Sequence, residues 1–342
     1  MTTKNQDKVR KSSKFNNYLS IVLSFRNEEE VLPELIRRLR KVLLAEQIKN
    51  AIGGYELIFV NDVSTDRSLE ILLSEAHNNK DIKIINMSRN FGVSPCVMAG
   101  MQYAKGDVLV YMDTDLQDPP ELIPEMLRAR NEQKADVVHT KRKSRDGESR
   151  VKLLITKLGY FILKKFSSID IQPETGDFKL LSRRAVNHLI QLKENRPFVR
   201  GLINWIGFKQ TAIEYNREKR SAGKTKFPVL GKKVISNFFN SALISFSDAP
   251  LKLASFMGFL VSAGAFFLLI YIVVQKILGH NLPGWSAIMV TMLFLGGLNL
   301  LAIGILGLYV NSIFIETKKR PNFIVESTFG FDNDEKHEKR LS

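Results

Sequence analysis

Between Leu19 and Thr140, short apolar runs alternate with amphipathic segments. Five runs rich in β-branched residues predict buried strands: Leu19–Phe25, Tyr55–Val60, Ile82–Met87, Asp107–Met112 and Ala135–His139. Three segments between them carry apolar residues every three or four positions and predict helices: Glu28–Leu44, Asp66–His77 and Val93–Ala104. Strands and helices that alternate in this way predict an α/β domain with a Rossmann-like, mostly parallel sheet.

Two long segments near the C-terminus, Leu253–Val274 and Trp285–Ile315, carry no charged side chain. Because about 20 apolar residues cross a bilayer, the two segments predict transmembrane helices. Lys276 is the only fixed charge between them, whereas lysines and arginines crowd both outer flanks. That asymmetry predicts that both ends of the helix pair face the cytoplasm.

The segment before the first span, residues 229–248, sets Leu230, Val234 and Phe238 on one helical face and Lys232 and Lys233 elsewhere. It predicts an amphipathic helix on the cytoplasmic leaflet, with an ordinary core helix as the alternative. The predicted order is a disordered basic tail (1–18), the α/β domain (19–228), the interfacial helix (229–248), two transmembrane helices (249–316) and a cytoplasmic C-terminal tail (317–342).

The chain of 342 residues has a formal net charge of +15, which suits nucleic acid, a nucleotide or anionic lipid as partner. One cysteine, Cys96, excludes an internal disulfide framework and fits a reducing compartment. Since Cys96 lies in an apolar helical stretch, we expect a packed thiol rather than a nucleophile.

Polar residues stand where each of the first four predicted strands stops. They are Asn27-Glu28, Asn61-Asp62, Arg89-Asn90, and Asp113 with Asp115. Because the carboxyl ends of parallel strands share one edge, these residues predict a nucleotide-type pocket. Neither a Gly-x-Gly-x-x-Gly fingerprint after the first strand nor a complete P-loop occurs, which argues against a dehydrogenase and a P-loop nucleotidase.

Asp113-Thr114-Asp115 closes the fourth predicted strand, and Gln117 follows two residues later. Oxygen ligands at a strand's end suit Mg²⁺ or Mn²⁺ holding a substrate diphosphate, although Asp-x-Asp also occurs by chance in turns. Asp118, Pro119 and Glu121 predict a helix start directly afterwards, with Asp118 as the N-cap. The sequence therefore predicts a metal-binding turn at the sheet edge.

Six motifs occur in a fixed order: Asn27-Glu28, Asn61-Asp62, Arg89–Gly92, Asp113–Gln117, Gly176–Phe178 and Arg217–Lys226. Together with the two spans, they resemble the family 2 glycosyltransferases of GT-A fold. Within that family they resemble the polyisoprenyl-phosphate glycosyltransferases, the bactoprenol glucosyltransferases above all. The resemblance covers nearly all of Leu19–Val325.

The resemblance implies a multi-pass enzyme of the bacterial inner membrane with a cytoplasmic catalytic domain. Its reaction would be inverting, metal-dependent transfer of a sugar, with glucose from UDP-glucose as the best guess, to undecaprenyl phosphate in O-antigen modification of lipopolysaccharide. It implies a homotetramer and no nucleic acid partner. The sequence itself leaves open which sugar and nucleotide are used.

The resemblance also implies roles for single residues. Nucleotide-sugar binding is expected of Ser24, Glu28, Asp62, Arg89, Asn90 and Asp113, and metal binding (Mg²⁺ or Mn²⁺) of Asp113, Asp115 and Gln117. Binding of lipid phosphate or diphosphate is expected of Arg142, Arg145, Arg217, Arg220 and Lys226. Catalytic roles are expected of Asp115, Asp177 and Arg200.

A lipid phosphate acceptor changes the expected role of Asp177. The second pKa of a phosphate monoester is about 6, so near pH 7 the acceptor is largely a dianion and hardly needs a general base. We therefore expect Asp177 to orient the sugar or support the metal shell, with bracing of the Gly176 turn as the alternative. His139 has no metal-ligand spacing and is assigned no role.

Some residues depart from the family pattern. Ser24 stands where the family usually has proline, and Val63 stands where it usually has a glycine that serves a turn of positive φ. Two alternative functions remain. A processive polysaccharide synthase would need a Gln-x-x-Arg-Trp motif, which is absent, and a non-catalytic membrane scaffold would not need the intact Asp113, Asp115 and Asp177.

Overall fold

The computed structural model describes residues 18–142, 175–192, 194, 197–216, 249–278 and 284–331. The chain forms two compact units. One unit is the α/β domain, which also includes the chain from Pro321 onward, and the other contains the C-terminal apolar helices. The predicted interfacial helix at 229–248 and the predicted tail at 1–17 lie outside the described residues.

Eight strands form one sheet: β1 Tyr18–Phe25, β2 Gly54–Asn61, β3 Ile82–Met87, β4 Val108–Asp113, β5 Val137–Arg142, β6 Thr175–Ser182, β7 Gln210–Tyr215 and β8 Val325–Phe329. The helices are α1 Leu32–Ile48, α2 Ser68–Asn78, α3 Val93–Tyr103, α4 Ile123–Gln133, α5 Arg183–Leu189, α6 Val199–Trp205, α7 Ala249–Ile277 and α8 Trp285–Thr317. A 3₁₀ turn, Pro120–Leu122, precedes α4.

The strand order is β7-β5-β6-β4-β1-β2-β3-β8. Pairs β4/β1, β1/β2, β2/β3 and β5/β7 are parallel, while β6 runs antiparallel to both of its neighbours and β8 runs antiparallel to β3. Six strands therefore share one direction, which confirms the predicted mostly parallel α/β sheet.

The core forms where the apolar faces of the helices cover the central strands. β1 is fully buried from Leu19 to Leu23, with Leu19, Ile21 and Leu23 on one face and Ser20 and Val22 on the other, as expected for a strand covered on both sides. On α1, Leu32, Leu35, Leu39 and Leu43 recur at helical spacing, and none is exposed. Cys96 is also buried, as predicted, and burial raises the pKa of its thiol.

Three predicted helix starts lie too early in the chain. α1 begins at Leu32 rather than Glu28, and α2 begins at Ser68 rather than Asp66. In both cases the preceding residues belong to loops that hydrogen-bond to each other: the amide of Glu29 donates to Asp66 (3.2 Å). Asp118 is not an N-cap, because its carboxylate is buried and accepts a hydrogen bond from the Tyr215 hydroxyl.

The segment after the second apolar helix is not only a tail. β8 adds an antiparallel strand beside β3, and Phe329 packs on His77 with ring centroids 5.0 Å apart. Gly330 has a φ of 82°, and a Cβ there would lie 2.7 Å from the Ile82 carbonyl oxygen, so only glycine fits this approach. The predicted tail at 317–342 therefore has to be corrected to include a strand of the sheet.

The second unit contains α7 and α8, which contain the two predicted spans. Ala254–Ile272 and Val290–Thr317 are long and apolar enough to cross a membrane. Large apolar side chains, among them Phe259, Phe267 and Leu293, are exposed on these helices. The predicted layout, an α/β domain followed by two apolar helices, is confirmed.

A buried carboxylate ties together the amino ends of the strands, opposite the predicted site. Glu56 on β2 is fully buried and accepts hydrogen bonds from Lys83 on β3 (2.6 Å), from the hydroxyl of Ser20 on β1 and from the Lys105 amide (2.7 Å). Because buried charges are stable only when paired and hydrogen-bonded, this cluster fixes three strands and the loop before β4.

We expect Glu56→Ala to destabilise the α/β domain by about 3–5 kcal/mol, since the substitution leaves the Lys83 charge buried and unpaired. Thermal unfolding of the purified protein in detergent measures the effect. Glu125→Ala is the matched control, because Glu125 is exposed on α4, and we expect it to change stability by less than about 0.5 kcal/mol. Equal unfolding temperatures for the two variants would contradict the assigned role of Glu56.

Candidate active site

The carboxyl end of β4 forms a tight turn that carries the two predicted metal ligands. Asp113 pairs in register with Ser24 of β1, and the Thr114 hydroxyl donates to the Ser24 carbonyl (3.3 Å). The Asp115 carboxylate accepts from the amide of Gln117 (3.2 Å). Leu116 between them has a φ of 56° and a buried side chain, so packing holds the backbone in a conformation that leucine rarely adopts.

The reversed strand β6 brings a third carboxylate to the same edge. Lys179 pairs with Tyr111 of β4, and continuing this antiparallel register by two residues sets Asp177 opposite Asp113. The amino end of β6 thus lies where its neighbours have their carboxyl ends. Gly176 gives Arg142 room there, because a Cβ would lie only 3.3 Å from its guanidinium.

Arg200, near the start of α6, clamps Asp177 in a two-pronged ion pair. Its Nε donates to one carboxylate oxygen of Asp177 (2.6 Å), and its Nη2 donates to the other. Burial opposes ionisation of Asp177, but the Arg200 charge and hydrogen bonds outweigh it and lower the Asp177 pKa. Asp177 is therefore a fixed carboxylate and a poor proton acceptor near neutral pH.

Negative charge is concentrated around Asp113. Burial, followed by the charges of Asp177, Asp115 and Asp118, raises the pKa of Asp113 to about 7. Like-charged carboxylates held this close favour either a proton or a cation between them. This edge of the sheet therefore favours the binding of a positively charged group.

The residues present fit a divalent cation that completes its coordination with substrate. Within the described residues, no group of three or more His, Cys, Asp or Glu side chains could hold a metal alone. Mg²⁺ is usually bound by one or two carboxylates together with substrate phosphates, and Asp113 and Asp115 supply two at one turn. Gln117, two residues after Asp115, is half-buried.

Arg142 adds a further positive charge close to Asp177. The Tyr215 hydroxyl donates to the buried Asp118 carboxylate. Burial opposes the charge of Arg142, but a hydrogen bond with Tyr215 and the Asp118 charge raise its pKa above the ordinary value. Arg142 and Arg200 thus remain cationic at the acidic edge, where they can bind phosphate oxygens.

The predicted nucleotide side is built from two interlocking loops. Asn27 accepts from the Thr65 amide (2.7 Å) and its own amide donates to Ser64 (3.1 Å), which joins the loops after β1 and β2. The amide of Glu28 donates to Ser68 (2.8 Å). Val63 in the second loop has a φ of 56°, so the positive-φ turn is kept although valine replaces the usual glycine.

Asp62 organises the third loop. Its carboxylate accepts from the Asn90 side chain (2.7 Å) and from the amides of Phe91 (2.7 Å) and Gly92 (3.0 Å) at the start of α3. The Arg89 guanidinium lies 4.1 Å from the Phe91 ring centroid. Asp62 therefore shapes the loop that carries Arg89 and Asn90, and direct nucleoside binding by Asp62 stays a prediction.

Eleven of the predicted site residues lie at or next to the strand ends at one edge of the sheet. They are Ser24, Glu28, Asp62, Arg89, Asn90, Asp113, Asp115, Gln117, Arg142, Asp177 and Arg200. Arg145, Arg217, Arg220 and Lys226 lie outside the described residues, so their roles stay predictions.

β6 and β7 were not predicted from the sequence, and neither was the burial of three polar groups at this edge of the sheet. Lys179, Tyr215 and Asp118 are buried, and none had been assigned a functional role. The alternation Asp177-Phe-Lys-Leu180 is typical of a half-buried strand, which could have identified β6. No sequence signal marked Lys179 as buried, because lysine is almost never fully buried.

Comparison with known proteins agrees with this geometry. A model of glycosyl transferase family 2 matches residues 20–190. The chain is 42% identical over 315 residues to the uncharacterized glycosyltransferase YkcC of Bacillus subtilis, with 92% of this chain and 95% of that one covered. The chain belongs to the family 2 glycosyltransferases.

Two further relatives bear more specific names. The chain is 34% identical over 309 residues to a prophage bactoprenol glucosyl transferase homolog of Escherichia coli, covering 90% of this chain and 98% of that one. It is 33% identical over 310 residues to the bactoprenol glucosyl transferase of Shigella phage SfX, with 90% and 99% covered. This family 2 glycosyltransferase therefore has bactoprenol glucosyl transferases among its relatives along nearly the whole chain.

Proposed function

We propose that this glycosyltransferase moves a sugar from a nucleotide diphosphate to a polyprenyl phosphate at the cytoplasmic face of a bacterial inner membrane, with inversion. Glucose from UDP-glucose is the donor we propose, by similarity to the bactoprenol glucosyl transferases. The observation that carries the acceptor class is the clamped, ionised Asp177 at the acidic edge.

A hydroxyl acceptor needs a base whose pKa lies near the working pH. Asp177 does not meet this requirement, because Arg200 lowers its pKa and occupies both of its oxygens. A phosphate monoester is already largely dianionic at neutral pH, since its second pKa is about 6. The Asp177–Arg200 pair therefore supports a phosphate acceptor that attacks the sugar without losing a proton to the protein.

The donor's diphosphate is assigned to the Asp113–Asp115 turn. A bound Mg²⁺ or Mn²⁺ would neutralise charge that develops on the leaving nucleoside diphosphate. Asp113 and Asp115 would hold the cation, Arg200 would contact a phosphate oxygen, and Asp177 would orient the sugar. We propose that the loop of Arg89 and Asn90, shaped by Asp62, forms the nucleoside side of the pocket.

The course of the chain supports a cytoplasmic location for both ends of the helix pair. The chain leaves the α/β unit before α7 and rejoins the same sheet at β8 after α8. If both apolar helices cross the membrane, their outer ends must lie on one side. The basic flank Lys318-Lys319-Arg320 supports the cytoplasm as that side.

Transfer of radiolabelled glucose from UDP-glucose to butanol-extractable lipid tests the function. We expect transfer by the wild type that EDTA abolishes and Mg²⁺ or Mn²⁺ restores, and transfer lowered at least about 100-fold in Asp115→Asn. Asp107→Asn is the matched control, because Asp107 lies at the opposite end of β4 and accepts from the Tyr18 amide (3.0 Å). Wild-type turnover by Asp115→Asn would contradict the proposed metal role. The same assay with a panel of nucleotide sugars identifies the sugar.

Cysteine labelling in intact cells tests the topology. Native Cys96 is buried, so single added cysteines can be read directly. We expect a membrane-impermeant reagent to label a cysteine at position 281, between the helices, and to spare Glu326→Cys, an exposed position on β8. The reverse labelling pattern would contradict the cytoplasmic placement.

A further inference from the structure

Lys179 is a fully buried lysine in the middle of β6, two residues after Asp177. Its Nζ lies 2.9 Å from His139 Nδ1 of β5. Among the described residues, Lys179 makes no ion pair with a carboxylate. The other buried lysine of the sheet, Lys83, is paired directly with Glu56 at 2.6 Å. Since an unpaired buried lysine costs stability, Lys179 calls for a functional reason.

A chain of hydrogen bonds fixes the direction of the Lys179 amine. The side-chain amide of Gln210 donates to the Ile203 carbonyl (3.0 Å), which leaves its oxygen to face His139 Nε2 at 2.7 Å. His139 Nε2 therefore carries the proton and donates, and Nδ1 accepts from Lys179. Burial, followed by the Lys179 charge, lowers the His139 pKa to about 4, so His139 stays a neutral acceptor.

Lys179 and Asp177 are two residues apart on β6 and point to the same face, roughly 7 Å apart along the strand. Each acts on the other: burial lowers the pKa of Lys179 to about 7 against the opposing Asp177 charge. Tyr111 stands beside Lys179 in register, and its buried hydroxyl has no hydrogen-bond partner among the described residues. The interior next to Asp177 therefore contains buried polar groups, and one of them, the Tyr111 hydroxyl, has no hydrogen-bond partner among the described residues.

Two of the three cations near Asp177, Arg200 and Lys179, differ in solvent exposure. The Arg200 side chain is 42% exposed, so an entering phosphate can also bind it and weaken its hold on Asp177. Lys179 is fully buried and held by His139, so it cannot follow. When a phosphate engages Arg200, Lys179 and Arg142 are the positive charges that remain near Asp177. Of these two, only Lys179 shares the strand and the face of Asp177.

We propose that Lys179, held in place by His139, is a positioning residue that keeps the Asp177 carboxylate oriented for the reaction after Arg200 engages a substrate phosphate. The inference rests on the proposed function, because it assumes that Asp177 acts on bound substrate. It predicts that loss of the Lys179 amine slows turnover without loosening substrate binding or the fold.

The test is Lys179→Met in the full-length protein, with glucosyl transfer from UDP-glucose as the assay. Methionine has a similar length and no charge, so it removes the amine and its burial cost while it fills the space. We expect kcat to fall at least about tenfold, KM for UDP-glucose to stay within about threefold, and the unfolding temperature to be equal or higher. His139→Leu keeps the Lys179 amine but removes its hydrogen-bond acceptor, so kcat should fall by a smaller factor.

Lys83→Met is the matched control. It removes a buried lysine from the same sheet but leaves Glu56 unpaired at the end away from the site, so its unfolding temperature should fall while kcat stays within about twofold. The two lysines should therefore show opposite patterns. A Lys179→Met protein that does not fold, or that loses kcat together with unfolding temperature, assigns Lys179 to folding and overturns the proposal, and so does unchanged kcat.

The proposed function fails separately. If the wild type transfers no sugar to lipid, the assigned reaction is contradicted, and the Lys179 proposal that rests on it is contradicted too. If wild type and Lys179→Met transfer sugar equally well, only the role of Lys179 is contradicted.

Discussion

The constraint on which this protein depends is the crowding of carboxylates at one edge of its sheet. Asp113, Asp115, Asp118 and Asp177 act together, and burial with mutual repulsion raises the Asp113 pKa to about 7. Such an arrangement is costly unless cations balance it, since buried charge is stable only when compensated. Arg200 and Arg142 supply part of that balance from the protein, and the remainder fits a divalent cation held against a diphosphate.

The sheet topology creates this crowding. Parallel strands bring the turn after β4 beside the loops after β1, β2 and β3, and the reversed β6 adds Asp177 from its amino end. The opposite end of the sheet is fixed by the Glu56 cluster, where the charges are fully paired. The fold therefore separates a stable, compensated end from a strained, reactive end, as expected where function and stability compete.

Much of this could be predicted from local pattern. The four central parallel strands follow from short apolar runs, and Asp113, Asp115, Asn90 and Glu28 follow from polar residues at strand ends. β6, β7 and β8 could not be predicted as securely, because they are defined by long-range pairing with strands far away in the chain. The burial of Lys179 depends on that pairing, and so does the clamp of Asp177 by Arg200, which joins β6 to α6.

We propose that the acidic edge binds the donor's diphosphate through a divalent cation. This can be measured by isothermal titration calorimetry of the full-length protein with UDP and with uridine, each in Mg²⁺ and in EDTA. We expect EDTA to weaken UDP binding at least about tenfold, because Asp113 and Asp115 then repel the diphosphate, while uridine binding stays unchanged. Equal UDP affinity in EDTA and in Mg²⁺ would show that no divalent cation joins the diphosphate to this edge.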